Sequence, residues 1–290
     1  MANKAKERGE TVLELPLSEL RDFHNHPFKI RDDDSMKETI ESVNSYGVLV
    51  PGIARPHPEG GYEIISGHRR RHASELSGRE TMPFIIRDLD DDTATVIMVD
   101  SNIHRENILP SERAFAYKMK LDAIKRQAGR PTKGNAANVG TQKRSDQILA
   151  EELGESRNQI QRYIRLTELT PELLDMTDTG AIGFNSAVEL SFLKKEEQAK
   201  LVDAMEYAQA TPSQAQAKYL KAQSKTGTLT GAIMKKIMSE EKKGEPEKVT
   251  LSSDTLRKYF PKSYTPLRMQ ETIIKLLEQW QKKRQQQQDR

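Results

Sequence analysis

The sequence predicts an α+β chain: a small mixed α/β domain, then an all-α region containing a helix-turn-helix, then a helical carboxyl-terminal region. Three observations carry this. Strand-like and helix-like stretches alternate through the first 90 residues, no strand pattern follows Asp91, and a glycine joins two short amphipathic helices between residues 145 and 166. In 290 residues the 35% hydrophobic content must be shared among two or three domains, so no single large core is expected.

The elements follow in order. TVLELPL (11–17) alternates apolar and polar side chains, the period of a half-buried strand. DSMKETIESVNSYG puts Met36, Ile40 and Val43 at helical spacing and stops at Gly47. VLVPGIARP reads as extended, HPEGG as a turn, YEIIS as a strand, Arg69 to Ser77 as a helix closed by Gly78, and MPFIIRDL as another strand. TATVIMVDSNI and PSERAFAYKMKLDAIKRQ read as helices, the second with Ser111 as N-cap and Ala114, Tyr117, Leu121 and Ile124 along one side. Residues 1–126 form the first predicted domain.

Residues 127–144 are rich in Gly, Asn and Thr and hold Arg130, Lys133, Lys143 and Arg144 without an acid. They read as a flexible basic linker, either a plain connector or one that also touches phosphates.

SDQILAEELGESRNQIQRYIRL opens the second domain (145–225). Leu149, Ala150 and Leu153 form the inner face of a first helix, Gly154 supplies the turn, and Ile160, Tyr163 and Ile164 face back from a second. Ser156 and Gln159 have capping-box spacing. The outward set is then Ser156, Arg157, Asn158, Gln161, Arg162 and Arg165, with no acid among them. Arg, Asn and Gln pair bidentately with guanine and adenine edges in the major groove, and the remaining cations suit phosphates. Further helices are expected through residue 225, starting at Pro171 after Thr170 and at capping boxes Ser186/Glu189 and Thr211/Gln214.

Residues 226–248 are charged and weakly patterned and read as a second linker. In 249–290, Met269, Ile273, Leu276, Leu277 and Trp280 form a stripe too narrow to bury itself, so this region is the expected dimerisation element, with KKRQQQQDR as a solvated end.

The net charge of +3 decides little by itself; local clusters matter more. Zero cysteines leaves no disulfide or thiolate metal site, and no run approaches the ~20 apolar residues of a membrane span, so the expected compartment is the cytoplasm.

One cluster stands out. In ISGHRRRHASEL, five cationic or potentially cationic residues (His68, Arg69, Arg70, Arg71, His72) occupy the first turns of a helix. Cations there oppose the helix dipole and repel one another, at about 0.3–1 kcal/mol each. A strand, a glycine that admits close backbone approach and unbonded helical N–H groups together describe a phosphate site, with a solvated basic helix as the plain alternative.

These stretches together resemble the ParB/RepB family of chromosome and plasmid partition proteins, in its firmicute, mobile-element type. LPLSEL, IESVNSYGVLVPGIARP, YEIISGHRRRHASELSGRETMPFII and SNIHRENILPSERAFAY resemble the family's nucleotide domain, and residues 145–166 its helix-turn-helix. The resemblance implies CTP with Mg²⁺, a clamp on a palindromic parS-like site in double-stranded DNA, a homodimer and a ParA-type ATPase partner, the last met through NKAKERG. No membrane is implied, and the protein would be nucleoid- or plasmid-associated. By position, Ser66, Gly67, His68, Arg69, Arg70, Asn102 and Arg105 would hold nucleotide, and Ser101 with Asn102 the metal. His68, Ser101 and His104 depart from the family's Glu, Glu and Gln. Ser101 carries no charge where the family has a Glu, which leaves CTP hydrolysis less supported than CTP binding. Two alternatives stand beside this reading: a helix-turn-helix transcriptional regulator with a vestigial nucleotide domain, and a small-molecule kinase of the same fold.

Overall fold

The alternation in VLELP becomes strand β1 (Val12–Pro16) in a computed structural model of the chain. The structure describes residues 12–105, 107–129, 144–239 and, further on, 256, 259–261, 264–265, 268–277 and 279. The chain divides into two units, Met1–Glu240 and Glu241–Arg290.

In the first unit, β1 joins β2 (Leu20–Arg21), β3 (Gly52–Pro56), β4 (Tyr62–Ser66) and β5 (Thr81–Ile86) in one sheet of order β1-β5-β3-β4-β2. The β1–β5 and β3–β4 pairs are antiparallel, β3–β5 and β2–β4 parallel. Consecutive strand residues point to opposite faces, and Ile64 and Ile65 show it. Ile64 packs with Leu15, Ala54, Met82 and Phe84, whereas Ile65 joins a separate core with Phe23, Met98 and Tyr117. Gly52 is required where β3 crosses Phe84: a Cβ there would lie 2.3 Å from the ring.

Helix α1 (Asp34–Tyr46) starts at Asp33, whose carboxylate accepts the Met36 N–H, and stops at Gly47 with φ +73°. It packs on α2 (His68–Leu76) through Met36, Val43 and Ala73. Helix α3 (Asp91–Asp100) is capped by Asp90, and α4 runs Pro110–Gly129. Ser111 is therefore inside α4 and not its cap; its N–H and hydroxyl both donate to the Asp178 carboxylate, while Glu112 accepts the Leu109 N–H. Residues 127–129, expected in the linker, continue this helix, and 130–143 lie outside the described residues.

Helices α5 (Ser145–Leu153), α6 (Arg157–Arg165), α7 (Pro171–Asp178), α8 (Phe184–Leu190), α9 (Lys195–Ala208), α10 (Gln214–Lys225) and α11 (Gly231–Ser239) complete the unit. No strand follows β5 among the described residues. Two helix starts differ from expectation. Gly183 caps α8, placing Ser186 inside it, buried, while Glu189 pairs with Lys221; α10 starts at Ser213, which forms the reciprocal box with Gln216. The 226–248 linker reading fails over α11, whose Met234, Ile237 and Met238 at i, i+3, i+4 join the core of the helical half.

Helix α4 belongs to two cores. Ala114 packs with Leu166, Leu173 and Leu201, whereas Ala116, Tyr117 and Leu121 pack with Leu149 and Ile160 of the α5–α6 pair. Buried Lys120 adds ion pairs to Asp100 (2.6 Å) at the end of α3 and to Glu152 (2.8 Å) on α5.

In the second unit, residues 268–277 are helical; Met269 is buried, whereas Leu276 and Leu277 are exposed, and Trp280 lies outside the described residues. Among the described residues no helix is long and apolar enough to cross a membrane.

Candidate nucleotide and nucleic-acid sites

The basic run on α2 separates once folded. Gly67 adopts φ +114° and packs 3.2 Å, measured from where a Cβ would sit, from the Gly52 Cα, so the turn into α2 needs glycine. His68 points inward and is only 4% exposed. The Phe23 N–H donates to its Nε2 at 3.5 Å, and its ring lies 4.1 Å from that of His26. Burial first, then the charges of His26, Arg105 and Arg71, push its pKa down to about 3, so it is a neutral core residue and no phosphate ligand.

Three of the remaining cations, Arg69, Arg71 and His72, find acids on the loop that precedes α1. Arg71 pairs with Asp22 (2.8 Å) and Glu75 (2.9 Å), and His72 meets Asp32 (3.1 Å). Arg69 reaches Ser35 Oγ at 3.1 Å and Asp33 at 3.7 Å. Arg70 folds back to donate to the carbonyls of Val50 and Pro51, and burial lowers its pKa. The charge that sequence alone left uncompensated is therefore in large part balanced within the chain.

One place is not. A cleft of about 320 Å³ is lined by Lys29, Arg31, Arg69, Arg105 and Asn107, with Asp33 and Glu112 as its acids among the described residues. Glu112 is already taken: it accepts the Lys29 and Leu109 N–H groups and pairs with Arg31 at 3.2 Å. The Lys29 ammonium and the Arg105 guanidinium have no carboxylate partner among the described residues, Arg105 lying 5.8 Å from the centre of the Phe28 ring. Burial, then the neighbouring Arg69, lowers the Arg105 pKa, as expected of a cation short of negative charge. An anion entering here would relieve both.

Of the seven residues expected to hold nucleotide, Arg69 and Arg105 line this cleft. Ser66, Gly67, His68, Arg70 and Asn102 do not. Lys29 and Arg31 escaped the sequence reading because folding alone brings them to Arg69, about 40 positions away; FKIRDDD carried no motif to mark them.

The expected metal pair fits poorly. Asn102 is 3% exposed and its amide donates to the Met98 carbonyl (2.7 Å) and to Ser101 Oγ. Ser101 itself donates to Met98 O. Neither supplies a carboxylate, the donor a hard divalent cation favours, and the described residues hold no cluster of three His, Cys, Asp or Glu placed for a metal.

The helix-turn-helix forms as its spacing requires. Gly154 sits at φ +66° between α5 and α6, and Ser156 Oγ accepts the Gln159 N–H. The other arm of that box is replaced by a 3.5 Å contact from Arg162 to Gln159. Asn158 and Gln161 are exposed, as is Arg157, which lies 3.5 Å from Asp146. The outward reading of the last two arginines is corrected: both are half-buried. Arg162 bonds Asn185 and lies over Phe184, and Arg165 donates to Ser191 O (2.9 Å) with its guanidinium 4.2 Å from the Phe192 ring centre.

The two sites adjoin. Arg105 also lines a smaller cleft with Arg113, Tyr117 and Glu155, the last in the α5–α6 turn. Tyr117 donates to Glu155 at 2.7 Å, and burial, then this carboxylate, pushes the phenol pKa up.

Comparison with known proteins matches both parts. A family model described as ParB N-terminal domain covers residues 1–103, and one described as ParB HTH domain covers 139–224. The chain is 29% identical over 189 residues to the chromosome-partitioning protein Spo0J of Thermus thermophilus, spanning 65% of this chain and 63% of that protein. It spans about six-tenths of the length of the curated relatives it matches. Two similar structures are of a C-terminally truncated ParB from Caulobacter crescentus. The one complexed to the centromeric parS site is 21% identical with TM-score 0.42, covering 73% of this chain and 99% of that one. The one complexed with CTP-gamma-S is 24% identical with TM-score 0.31, covering 62% and 92%.

Proposed function

Because the chain belongs to the ParB family, we propose that it is a cytoplasmic partition protein that binds a palindromic parS-like site in duplex DNA and takes CTP in its amino-terminal domain. The observation that carries the nucleotide half is the convergence of Lys29, Arg31, Arg69 and Arg105 on one cleft, where they outnumber the acids among the described residues. About 320 Å³ lies at the low end of small-molecule sites.

In this reading Arg69 and Arg105 hold phosphate oxygens bidentately while Lys29 adds a point charge. A bound triphosphate would supply negative charge beside these cations. On the DNA side, α6 enters the major groove with Asn158, Gln161 and Arg157 toward base edges, Ser156 holds its first turn, and Arg162 and Arg165 brace it against α8 and the loop after it. Two such heads, from a dimer joined through the carboxyl-terminal region, meet the halves of an inverted repeat. Nucleotide would favour closure around the duplex only so far as it binds the closed state more tightly. Magnesium enters through the resemblance alone, since Ser101 and Asn102 do not fit it, and the reading stops at nucleotide binding short of hydrolysis. A ParA-type ATPase is the partner; the NKAKERG stretch expected to meet it lies outside the described residues.

Calorimetric titration with CTP, ATP and GTP, with and without duplex, tests this. CTP should bind most tightly, and Arg69→Ala or Arg105→Ala should weaken it about tenfold or more, or ~1.4 kcal/mol, with duplex binding kept. Equal affinity for all three nucleotides, or equal loss of nucleotide and duplex binding, would overturn it. Sequencing of DNA recovered with the protein from its host should return an inverted repeat.

A further inference from the structure

We propose that the face built around Phe192 is a second contact with duplex DNA, gripping the phosphate backbone beyond the end of α6. The inference rests on the DNA-binding reading above and extends it to residues outside the helix-turn-helix.

Phe192 is an aromatic on the short loop between α8 and α9, and it is 45% exposed. Cations surround it. The Arg165 guanidinium lies 4.2 Å and the Lys221 ammonium 3.5 Å from the ring centre, and Lys194 and Lys225 share with Phe192 and Lys221 the lining of a cavity of about 510 Å³. Four cations thus gather around Phe192 from three elements, Arg165 and Lys221 over its ring and Lys194 and Lys225 along the cavity: the end of α6, the α8–α9 loop, and α10.

The acids at hand are fewer than the cations, and one of them is already paired. Glu189 pairs with Lys221 at 2.8 Å. Glu197 accepts the Ser224 hydroxyl (2.6 Å) and the Lys194 backbone N–H (2.9 Å). The side-chain ammonium groups of Lys194 and Lys225 have no partner among the described residues, and Arg165 bonds a carbonyl and no carboxylate. Like charges so arranged repel, and the natural relief is a polyanion.

Position selects which polyanion. Helix α6 is nine residues long, about 13 Å, and its last side chain is the one docked on this loop. With α6 in the major groove, a patch that begins at its carboxyl end faces the strand bordering that groove. Backbone contacts of this kind set orientation and add affinity without reading sequence.

The salt dependence of duplex binding tests it, using the full chain and a labelled random-sequence duplex of about 30 base pairs. Each phosphate neutralised contributes about 0.9 to the slope of log affinity against log salt. Lys194→Gln with Lys225→Gln should lower that slope by about two and weaken binding at low salt, with the circular dichroism spectrum and urea midpoint unchanged. Lys200→Gln with Lys236→Gln, the same charge change on exposed lysines of α9 and α11, should leave the slope at its parental value. A parental slope in the first double variant would overturn the Phe192 contact while the DNA-binding reading stands. Equal losses in both variants would overturn it as well, reducing it to net charge. No binding by the unaltered chain at any salt would remove both readings.

Discussion

Lowering the pH from 7.5 to 5.0 should destabilise this protein through one buried imidazole. His68 is 4% exposed and its folded pKa is about 3, against about 6.5 in an unfolded chain. Between those values the unfolded state binds the proton and the folded state does not, so stability falls as pH drops below 6.5 and stops falling near 3. At pH 5.0 the unfolded imidazole is almost fully protonated, and the loss from His68 comes to about 2 kcal/mol; at pH 7.5 it is near zero. His26, whose pKa burial also lowers, adds to the same trend. Glu63, held low by its His24 and Arg55 partners despite burial, contributes only at more acid pH. The assay is urea denaturation followed by circular dichroism at both pH values, for the parent and for His68→Gln, whose amide can still accept the Phe23 N–H. The parent should lose about 2 kcal/mol more than the variant over this interval. Equal losses would refute the reasoning and place His68 in contact with solvent or with an acid.

Two glycines should respond differently to the same substitution. Gly52→Ala drives a Cβ to 2.3 Å from the buried Phe84 ring and 2.9 Å from the Ser66 carbonyl, and should cost about 2–4 kcal/mol in urea midpoint terms. Gly154→Ala meets nothing within 4 Å and pays only for φ +66°, about 1–2 kcal/mol. Lys120→Met removes a buried cation from two carboxylates that are each about half-exposed and can recover water, so about 1–2 kcal/mol is expected by the same assay, with the midpoint less sensitive to salt than in the parent.

Local signals were legible in the sequence where a short stretch determines its own geometry. Gly47 and Gly154 take the left-handed turns their places after amphipathic runs require, Ser156 caps α6, and YEIIS is a strand at its expected bounds. Helix α11 was legible in principle: AIMKKIM has apolar residues at helical spacing, but flanking charge made it look like a connector. The basic run was misread for a different reason. Spacing shows that five residues share a helix start, but it cannot show that His68 turns into the core or that Asp22, Asp32 and Asp33 arrive from a distant loop. The same long-range folding hid Lys29 and Arg31, whose relation to Arg69 exists only in three dimensions. Arg162 and Arg165 erred for want of knowing where Phe184 and Phe192 lie.

Helix α4 lends one flank to the helices that follow and another to the sheet side and the α5–α6 pair. A rod shared in this way ties the helical half to the core on the Ile65 face of the sheet. Heating should melt the two cores that α4 shares in one cooperative event, so that loosening either one alone would expose the other flank of the same helix.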